Sequence, residues 1–193
     1  MGEVWVAGNH YAAAKGIEDS VDSGYRYLKR LSMDYGSDLA ILNVVAHARE
    51  ALAYFEEKIG LKMSVITSCP DYYYTVTNDA VAEGRMLEVV PFDGATLGEW
   101  QSKTRLSPLM SYGLTHAEML RGGGVRNLMD AHLVSMGERL TKDERCLGPG
   151  LAAYFVKGAL DRNIPLMTGC NAEELIADGS RVVGVRYTQD GQT

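Results

Sequence analysis

Near the C-terminal end of the sequence, an Asp-Gly-Ser turn at residues 178–180 separates two apolar runs. An Asp-Gly pair in this setting is a strong signal for a β-hairpin, because glycine readily adopts the positive φ that a tight turn needs. The pattern predicts one strand over Ala172 to Ala177 and a second over the sequence RVVGVRY. The short run AEELIA is also compatible with one turn of helix.

The segments before this hairpin alternate between helices and short strands. Apolar residues recur every three or four positions over Ile17 to Tyr35 and over Leu39 to Ile59, which predicts two helices. Ser37 or Asp38 can cap the second helix, and Gly60 can end it. Two more helices are predicted over residues 125–136 and 150–162, and short strands over EVWVAG, LKMSV and IPLMTG. The fold class is therefore α/β and rich in helix.

Residues 68–105 lack a regular hydrophobic period and contain Pro, Gly, Asp and a run of three tyrosines. A stretch of that length without regular structure is usually disordered or functional, and its aromatic residues argue against disorder. We therefore divide the predicted domain, residues 1–193, into a strand-helix-helix segment over 1–67, this loop excursion over 68–105, and helices with the hairpin over 106–193.

Composition excludes several classes of function. The net charge of −6 argues against nucleic acid or an anionic membrane surface as a partner. No apolar run approaches the length of about 20 residues that a membrane-spanning helix needs. The three cysteines and four histidines are scattered, which predicts no metal site and reduced thiols in a cytoplasmic protein.

Two motifs resemble the fumarate reductase and 3-ketosteroid dehydrogenase flavoprotein family. The C-terminal helix and hairpin, with Gly150, Ala159, Ala172 and Asp178 among the matching residues, are similar to the end of that family's FAD-binding domain. The sequence PDYYY followed by GRMLEVVPFDGATLG resembles the steroid dehydrogenase branch. The resemblance covers nearly the whole chain and implies an incomplete FAD-binding, Rossmann-like domain with a parallel sheet and a C-terminal β-hairpin.

One family feature is missing from this sequence. The family binds the FAD pyrophosphate at a G-x-G-x-x-G turn that opens a helix. The glycine cluster at Gly122 to Gly124 follows no predicted strand and has a different spacing. This departure implies an internal fragment of a longer flavoenzyme. We expect FAD in the full-length parent and none bound to this chain alone.

The resemblance also implies the candidate site residues. The D-Y-Y segment of the family supplies a catalytic tyrosine, which falls on Tyr72, or on Tyr73 if the register differs by one position. Tyr74 is expected to pack. Gly2 matches the last glycine of a stretch near the flavin. Ala172 matches a position where the backbone approaches the adenine ring.

The remaining polar candidates have simpler structural interpretations. Arg85 could bind a substrate carboxylate or carbonyl, but an ion pair with a nearby glutamate is the expectation. Cys69 is expected to be a packed thiol. His116 and Arg121 could contact a dicarboxylate, as in fumarate reductases, but their setting is typical of a polar helix face. His47, within an apolar helix, is expected to be partly buried.

The predicted function is that of a fragment of an FAD-dependent oxidoreductase acting on a CH–CH bond beside a carbonyl, inactive alone. The parent's partner would be a small molecule, a steroid or another enone or ketone. Open sheet edges make a homo-oligomer a further prediction. One alternative is a non-catalytic small-ligand-binding or scaffold module, and another is a subunit that completes a flavin site with a separate chain.

Overall fold

The computed structural model describes residues 2–106, 113–121 and 125–189, with the backbone alone over 125–133. Its helices are α1 (His10–Ala14), α2 (Val21–Ser32), α3 (Asp38–Ile59), a 3-10 helix (Gly94–Trp100), α4 (His116–Arg121), α5 (Val125–Lys142) and α6 (Leu147–Leu160). Its strands are β1 (Glu3–Trp5), β2 (Met63–Val65), β3 (Met86–Val89), β4 (Phe92–Asp93), β5 (Glu144–Arg145), β6 (Cys170–Asp178) and β7 (Arg181–Gln189). The chain divides into two compact units, Met1–Gly158 and Ala159–Thr193.

Helix α3 confirms the prediction made from its end signals. The Ser37 side chain accepts a hydrogen bond from the amide of Ala40 at 3.2 Å, as a helix cap should. Gly60 ends the helix with a φ of 66°, the left-handed conformation that glycine adopts without strain. The expectation for His47 is wrong: its side chain is 65% exposed and lies 3.0 Å from Glu50 on the outer face of the helix.

The predicted helix over Ile17 to Tyr35 is shorter in the structure. Ser20 caps α2 by accepting a hydrogen bond from the amide of Ser23, so the helix begins at Val21. The periodicity did not reveal α1, because this helix has only five residues. Asn9, which is almost fully buried, caps α1 and also donates to the carbonyls of Val6 and Gly84.

The three-stranded sheet has the order β1-β3-β2, and both neighbouring pairs are antiparallel. The expectation of a parallel sheet is therefore wrong for the strands that the structure describes. Since β1 and β2 are each antiparallel to β3, they run in the same direction as each other. The chain thus makes a helical crossover from β1 to β2, as in α/β folds, and β3 then pairs between these two strands.

Residues 68–105 are more regular than predicted, because β3, β4 and the 3-10 helix lie within them. These elements have two to seven residues, too few to show a hydrophobic period. The part between β2 and β3, residues 66–85, has no helix or strand, and we call it the tyrosine loop. It begins and ends at adjacent strands of one sheet.

The core of the first unit lies between the three-stranded sheet, helix α3 and helix α6. The helices predicted over residues 125–136 and 150–162 are confirmed as α5 and α6, although α5 extends to Lys142 and α6 begins at Leu147. The glycine cluster at Gly122 to Gly124 lies outside the described residues. The core residues come from these three parts and from segments next to them, and include Val6, Leu52, Leu61, Met63, Val65, Leu87, Val89, Phe92, Ala153 and Tyr154.

The second unit consists mainly of the β6–β7 hairpin. The predicted hairpin is confirmed, with Gly179 at a φ of 59° in the turn, and the helical alternative for AEELIA is wrong. The predicted strand at IPLMTG is also wrong: residues 164–168 form no strand, since they pair with no other strand of the described chain.

Candidate functional site

Arg85, at the end of the tyrosine loop, is fully buried and uses all five of its N–H donors. Its Nε donates to Asp19 Oδ2 at 3.0 Å, and one Nη2 proton donates to Asp19 Oδ1 at 2.6 Å. The other Nη2 proton reaches Ser23 Oγ at 2.8 Å. Nη1 donates to Asp71 Oδ2 at 2.7 Å and to the Asp79 carbonyl at 3.0 Å. The sequence predicted an ion pair here, but the partners are aspartates rather than a glutamate.

Two aromatic rings complete this network, which we call the Arg85 cluster: Arg85, Asp19, Asp71, Ser23, Trp5 and Tyr27. Trp5 and Tyr27 are stacked with ring centroids 5.9 Å apart. The guanidinium carbon lies 5.4 Å from the Trp5 centroid and 5.6 Å from that of Tyr27, within the range of a cation–π contact. Trp5 Nε1 also donates to Asp71 Oδ1 at 2.8 Å.

The cluster holds two buried carboxylates against one guanidinium. Asp19 and Asp71 are each about 1% exposed or less, so both carboxylates rely on protein donors instead of water. Backbone amides supply the rest: Gly8 donates to Asp19 at 2.7 Å and Val81 to Asp71 at 3.0 Å. Burial alone would raise the pKa of Asp19, but the hydrogen bonds from Arg85 and from the Gly8 amide lower it below its ordinary value.

The predicted catalytic tyrosines lie on the outer side of the loop that this cluster holds. The Tyr72 side chain is 87% exposed and that of Tyr73 is 52% exposed, and their rings meet edge to face with centroids 5.3 Å apart. Neither hydroxyl has a hydrogen-bond partner among the residues that the structure describes. The backbone amide of Tyr73 donates to the Tyr27 hydroxyl at 3.1 Å. Both rings are therefore open to a ligand while the backbone beside them is held.

Tyr74, expected to pack, is also partly exposed and lines an open surface cleft of about 560 Å³. The other residues of this cleft come from the same loop and are mostly small or polar: Thr75, Val76, Thr77, Asn78 and Ala80. The cleft therefore lies directly beside the predicted catalytic pair in the sequence.

Gly2 has a structural requirement for glycine. Its φ is 87°, and a Cβ placed on it would lie 2.3 Å from the amide nitrogen of Gly148 at the start of α6. Any other residue would be strained and would collide with backbone. Close packing against α6 thus explains this glycine, and its contact with a flavin stays a prediction.

Ala172 lies on β6 in the second unit, where its small side chain is exposed. It pairs with Tyr187, while the next pair along the ladder is Glu174 with Arg186. A register shift therefore leaves Glu173 without a partner residue on β7. Such a bulge interrupts the ladder locally, and the contact of this backbone with an adenine ring stays a prediction.

A second buried polar group escaped sequence analysis. Glu88, in the middle of β3, is 1% exposed and accepts hydrogen bonds from the amides of His116 and Ala117 at the start of α4. Burial raises its pKa above the ordinary value. His116 Nδ1 lies 2.7 Å from Glu3 Oε1, so the histidine that could have met a dicarboxylate already faces a carboxylate of the protein. Sequence spacing gave no signal for these contacts, since β3 had been taken as loop.

The other residues singled out from the sequence have structural roles. Arg121 Nε donates to the Ala117 carbonyl of its own helix. Cys69 is half-buried, and burial together with the nearby carboxylates of Glu3 and Glu88 raises the pKa of its thiol. Such a thiol is a poor nucleophile at neutral pH. In the described part of the chain, no three His, Cys, Asp or Glu side chains gather as a metal site would require.

Comparison with known proteins shows the fold and the family of this chain. The crystal structure of 3-ketosteroid Δ1-dehydrogenase from Sterolibacterium denitrificans, in complex with 1,4-androstadiene-3,17-dione, matches with a TM-score of 0.79 at 24% identity, over 99% of this chain and 37% of that one. The chain therefore has the fold of a flavoprotein dehydrogenase. It belongs to the FAD binding domain family, whose family model matches residues 1–193. The resemblance seen in the sequence is confirmed.

Two characterised relatives have similar sequences. The 3-oxosteroid 1-dehydrogenase of Comamonas testosteroni is 22% identical over 209 aligned positions, which cover 99% of this chain and 36% of that protein. The 4-oxocyclohexanecarboxylate 2-dehydrogenase of Sinomonas cyclohexanicum is 28% identical over 87 residues, 45% of this chain and 15% of that protein. The chain thus spans about a third of the 3-oxosteroid 1-dehydrogenase and less of the other relative. Of the described helices, none has the length and apolar character needed to cross a membrane.

Proposed function

We propose that this chain is the tyrosine-bearing part of an FAD-dependent oxidoreductase that desaturates a CH–CH bond beside a ketone, with a 3-oxosteroid or a similar cyclic ketone as substrate. Its family and the printed activities of two relatives support this reaction class. The observation that carries the proposal is the arrangement of the tyrosine loop. Tyr72 and Tyr73 are exposed, while hydrogen bonds to the buried side chains of Arg85 and Tyr27 hold the backbone beside them.

Removal of hydrogen beside a ketone needs proton transfer at the carbon and stabilisation of charge at the carbonyl oxygen. A tyrosine hydroxyl can do either: as a neutral phenol it donates to the developing oxyanion, and as a tyrosinate it accepts a proton. In this proposal Tyr72 takes one of these roles, with Tyr73 as the alternative residue. Tyr74 lines the neighbouring cleft and would contact the substrate body. FAD, when bound, supplies the acceptor for the hydride.

Two positions of the chain would contribute to holding FAD. At Gly2 the side where a Cβ would stand is filled by the backbone of α6, so a contact with FAD would come from the main chain of this residue. At Ala172 a small side chain precedes Glu173, which has no partner residue on β7, and main chain at such an irregular position would hydrogen-bond an adenine. In this proposal both positions act through main chain rather than through a charged side chain.

A fumarate reductase-like activity has less support. Such a reaction needs cations facing a dicarboxylate, and His116 is paired with Glu3 while Arg121 contacts its own helix. Tyr72 is 87% exposed, and its hydroxyl has no hydrogen-bond partner among the described residues, which favours one second candidate, a non-catalytic module that binds a small ligand through its tyrosines.

The first test is the visible absorbance spectrum of the purified chain before and after addition of FAD. We expect a colourless protein that takes up no flavin, because the sequence offers no G-x-G-x-x-G turn. Dehydrogenation of a 3-oxosteroid is then measured in the longest natural form that contains this chain, with FAD and an artificial electron acceptor.

Three matched variants connect the activity to the tyrosines. Tyr72→Phe or Tyr73→Phe should lower kcat by about 100-fold or more, as expected for the loss of an acid or base. Tyr74→Phe, the control, should change kcat by less than about threefold because its role is contact alone. An active enzyme in which all three variants keep full kcat would refute the assignment, and ligand binding without turnover would favour the binding module.

A further inference from the structure

The tyrosine loop has twenty residues (66–85) and no helix or strand, yet its backbone is tied at defined points. The amide of Asp71 donates to the Val81 carbonyl at 2.9 Å, and the amide of Val81 returns a bond to Asp71 Oδ2. These two bonds close the loop on itself. The Asp79 carbonyl accepts from Arg85, so the far side of the loop is also attached to the Arg85 cluster.

Two attachments flank Tyr72 directly. Asp71, the preceding residue, is held by Arg85 and by the indole of Trp5. Tyr73, the following residue, is held through its backbone amide by the buried hydroxyl of Tyr27. The backbone of Tyr72 is therefore restrained on both sides while its ring remains exposed. This combination is what a site needs when a ring must be free to meet a ligand but fixed in position.

Arg85 lies at the end of the loop, but the other attachments come from outside it. Trp5 belongs to β1, and Tyr27 and Ser23 belong to α2, so the loop takes its position from the sheet and from a helix of the first unit. Arg85 contributes direction as well as charge, because its planar fork donates along fixed lines. A cluster of apolar side chains could join β1 to α2 equally well. It would not set the rotation and register of the Asp71–Tyr73 backbone.

We propose that the Arg85 cluster positions the catalytic tyrosine segment, acting at two points, the Asp71 carboxylate and the Tyr27 hydroxyl. This inference rests on the proposed function, because that proposal makes Tyr72 or Tyr73 the catalytic residue. Asp71, Arg85 and Tyr27 are positioning residues, since none of them faces the exposed side where a substrate would lie. Their effect on the reaction passes through the placement of Tyr72 and Tyr73.

The sharpest test is Tyr27→Phe, which removes one oxygen atom and keeps the ring between Trp5 and Arg85. Tyr25→Phe is the matched control: the same change two residues away on the same helix, at a tyrosine that takes no part in the cluster. Three quantities are compared: the exchange rate of the Tyr73 amide, the ring-current shifts of the Tyr72 and Tyr73 proton signals, and kcat and KM in the dehydrogenase assay. The first two need only this chain.

In Tyr27→Phe we expect the Tyr73 amide to exchange about tenfold faster, as for the loss of one hydrogen bond. The ring-current shifts from the Tyr72–Tyr73 contact should shrink toward unstructured values, and kcat should fall about tenfold at nearly constant KM. Tyr25→Phe should resemble the wild type in all three. Unchanged exchange and shifts in Tyr27→Phe would overturn the proposal, and so would altered exchange with an unchanged kcat. An inactive wild type in every form tested would refute the proposed function, while the exchange and shift data would still decide whether the cluster holds the segment.

Discussion

Among single substitutions in the first unit that leave its surface unchanged, Arg85→Met should lower the free energy of unfolding the most. The substitution keeps much of the buried volume but removes five hydrogen bonds and the one positive charge of the cluster. Asp19 and Asp71 would then be two buried carboxylates without their shared counter-charge. Breaking a buried ion pair by removing one partner typically costs about 3–5 kcal/mol. Because both pairs share one guanidinium and are not additive, we expect about 4 kcal/mol for the whole loss.

The assay is urea unfolding followed by tryptophan fluorescence, since Trp5 lies against the guanidinium. With a slope of about 2 kcal/mol per molar urea, a loss of about 4 kcal/mol lowers the midpoint by about 2 M. Arg26→Met is the matched control. Arg26 lies on α2 and pairs with Asp79 at 2.7 Å, but its side chain is 56% exposed. An exposed pair is worth at most about 1 kcal/mol, so the control should move the midpoint by less than about 0.5 M.

If Arg85→Met does not fold, the urea midpoint of Arg85→Lys is compared with that of the wild type instead. Lysine retains the charge but has three donors where the site has five acceptor contacts, so we expect an intermediate loss of about 2 kcal/mol. Equal midpoints for Arg85→Met, Arg26→Met and the wild type would refute the reasoning. That result would mean that the Arg85 cluster orients the loop backbone but adds no net free energy of unfolding.

Two further predictions concern positions outside the cluster. Gly2→Ala should lower the free energy of unfolding by about 2 kcal/mol or more, because a Cβ would lie 2.3 Å from the Gly148 amide nitrogen at a positive φ. Gly60→Ala, at a positive φ with open space around it, should cost only about 1 kcal/mol in the same urea unfolding assay. Glu88 has a pKa raised above its ordinary 4.5 by burial, so the folded state binds this proton more tightly than the unfolded chain. Its contribution is therefore fully present below that ordinary value and is lost as the pH rises through the raised pKa. Glu88→Gln should flatten this decline in a series of urea midpoints across acidic pH, and an identical pH profile would contradict the assignment.

Local signals in the sequence predicted the elements that they directly control. Ser37 and Gly60 gave both ends of α3, because a cap and a left-handed glycine act within one turn of helix. The Asp-Gly turn gave the β6–β7 hairpin for the same reason, since Gly179 sets the turn conformation by itself. The strand β3 was missed because its four residues are buried by partners elsewhere in the chain and show no period of their own.

The candidate site could be predicted only in part. The tyrosines were visible as an unusual run in the sequence, and the family resemblance gave them a role. The Arg85 cluster was not visible, since Asp19 and Arg85 are 66 positions apart, as are Trp5 and Asp71. Contacts over such separations depend on the strand order β1-β3-β2, which places the start of β3 beside β1. Neither the order nor the antiparallel pairing follows from short strands alone.

The burial of the charged side chains of the Arg85 cluster bears on the function of the tyrosine loop. Burying Asp19, Asp71 and Arg85 together costs desolvation that an apolar cluster would avoid, so stability alone does not favour this arrangement. At the same time Tyr72 and Tyr73 lie on the outside, where their rings gain little from packing. If stability alone had been selected, we would expect the charged side chains to be exposed and the two tyrosine rings to be buried. The observed arrangement is understandable if the loop must present two phenols at a fixed place, because directional donors can fix a backbone without covering the side chains that it carries.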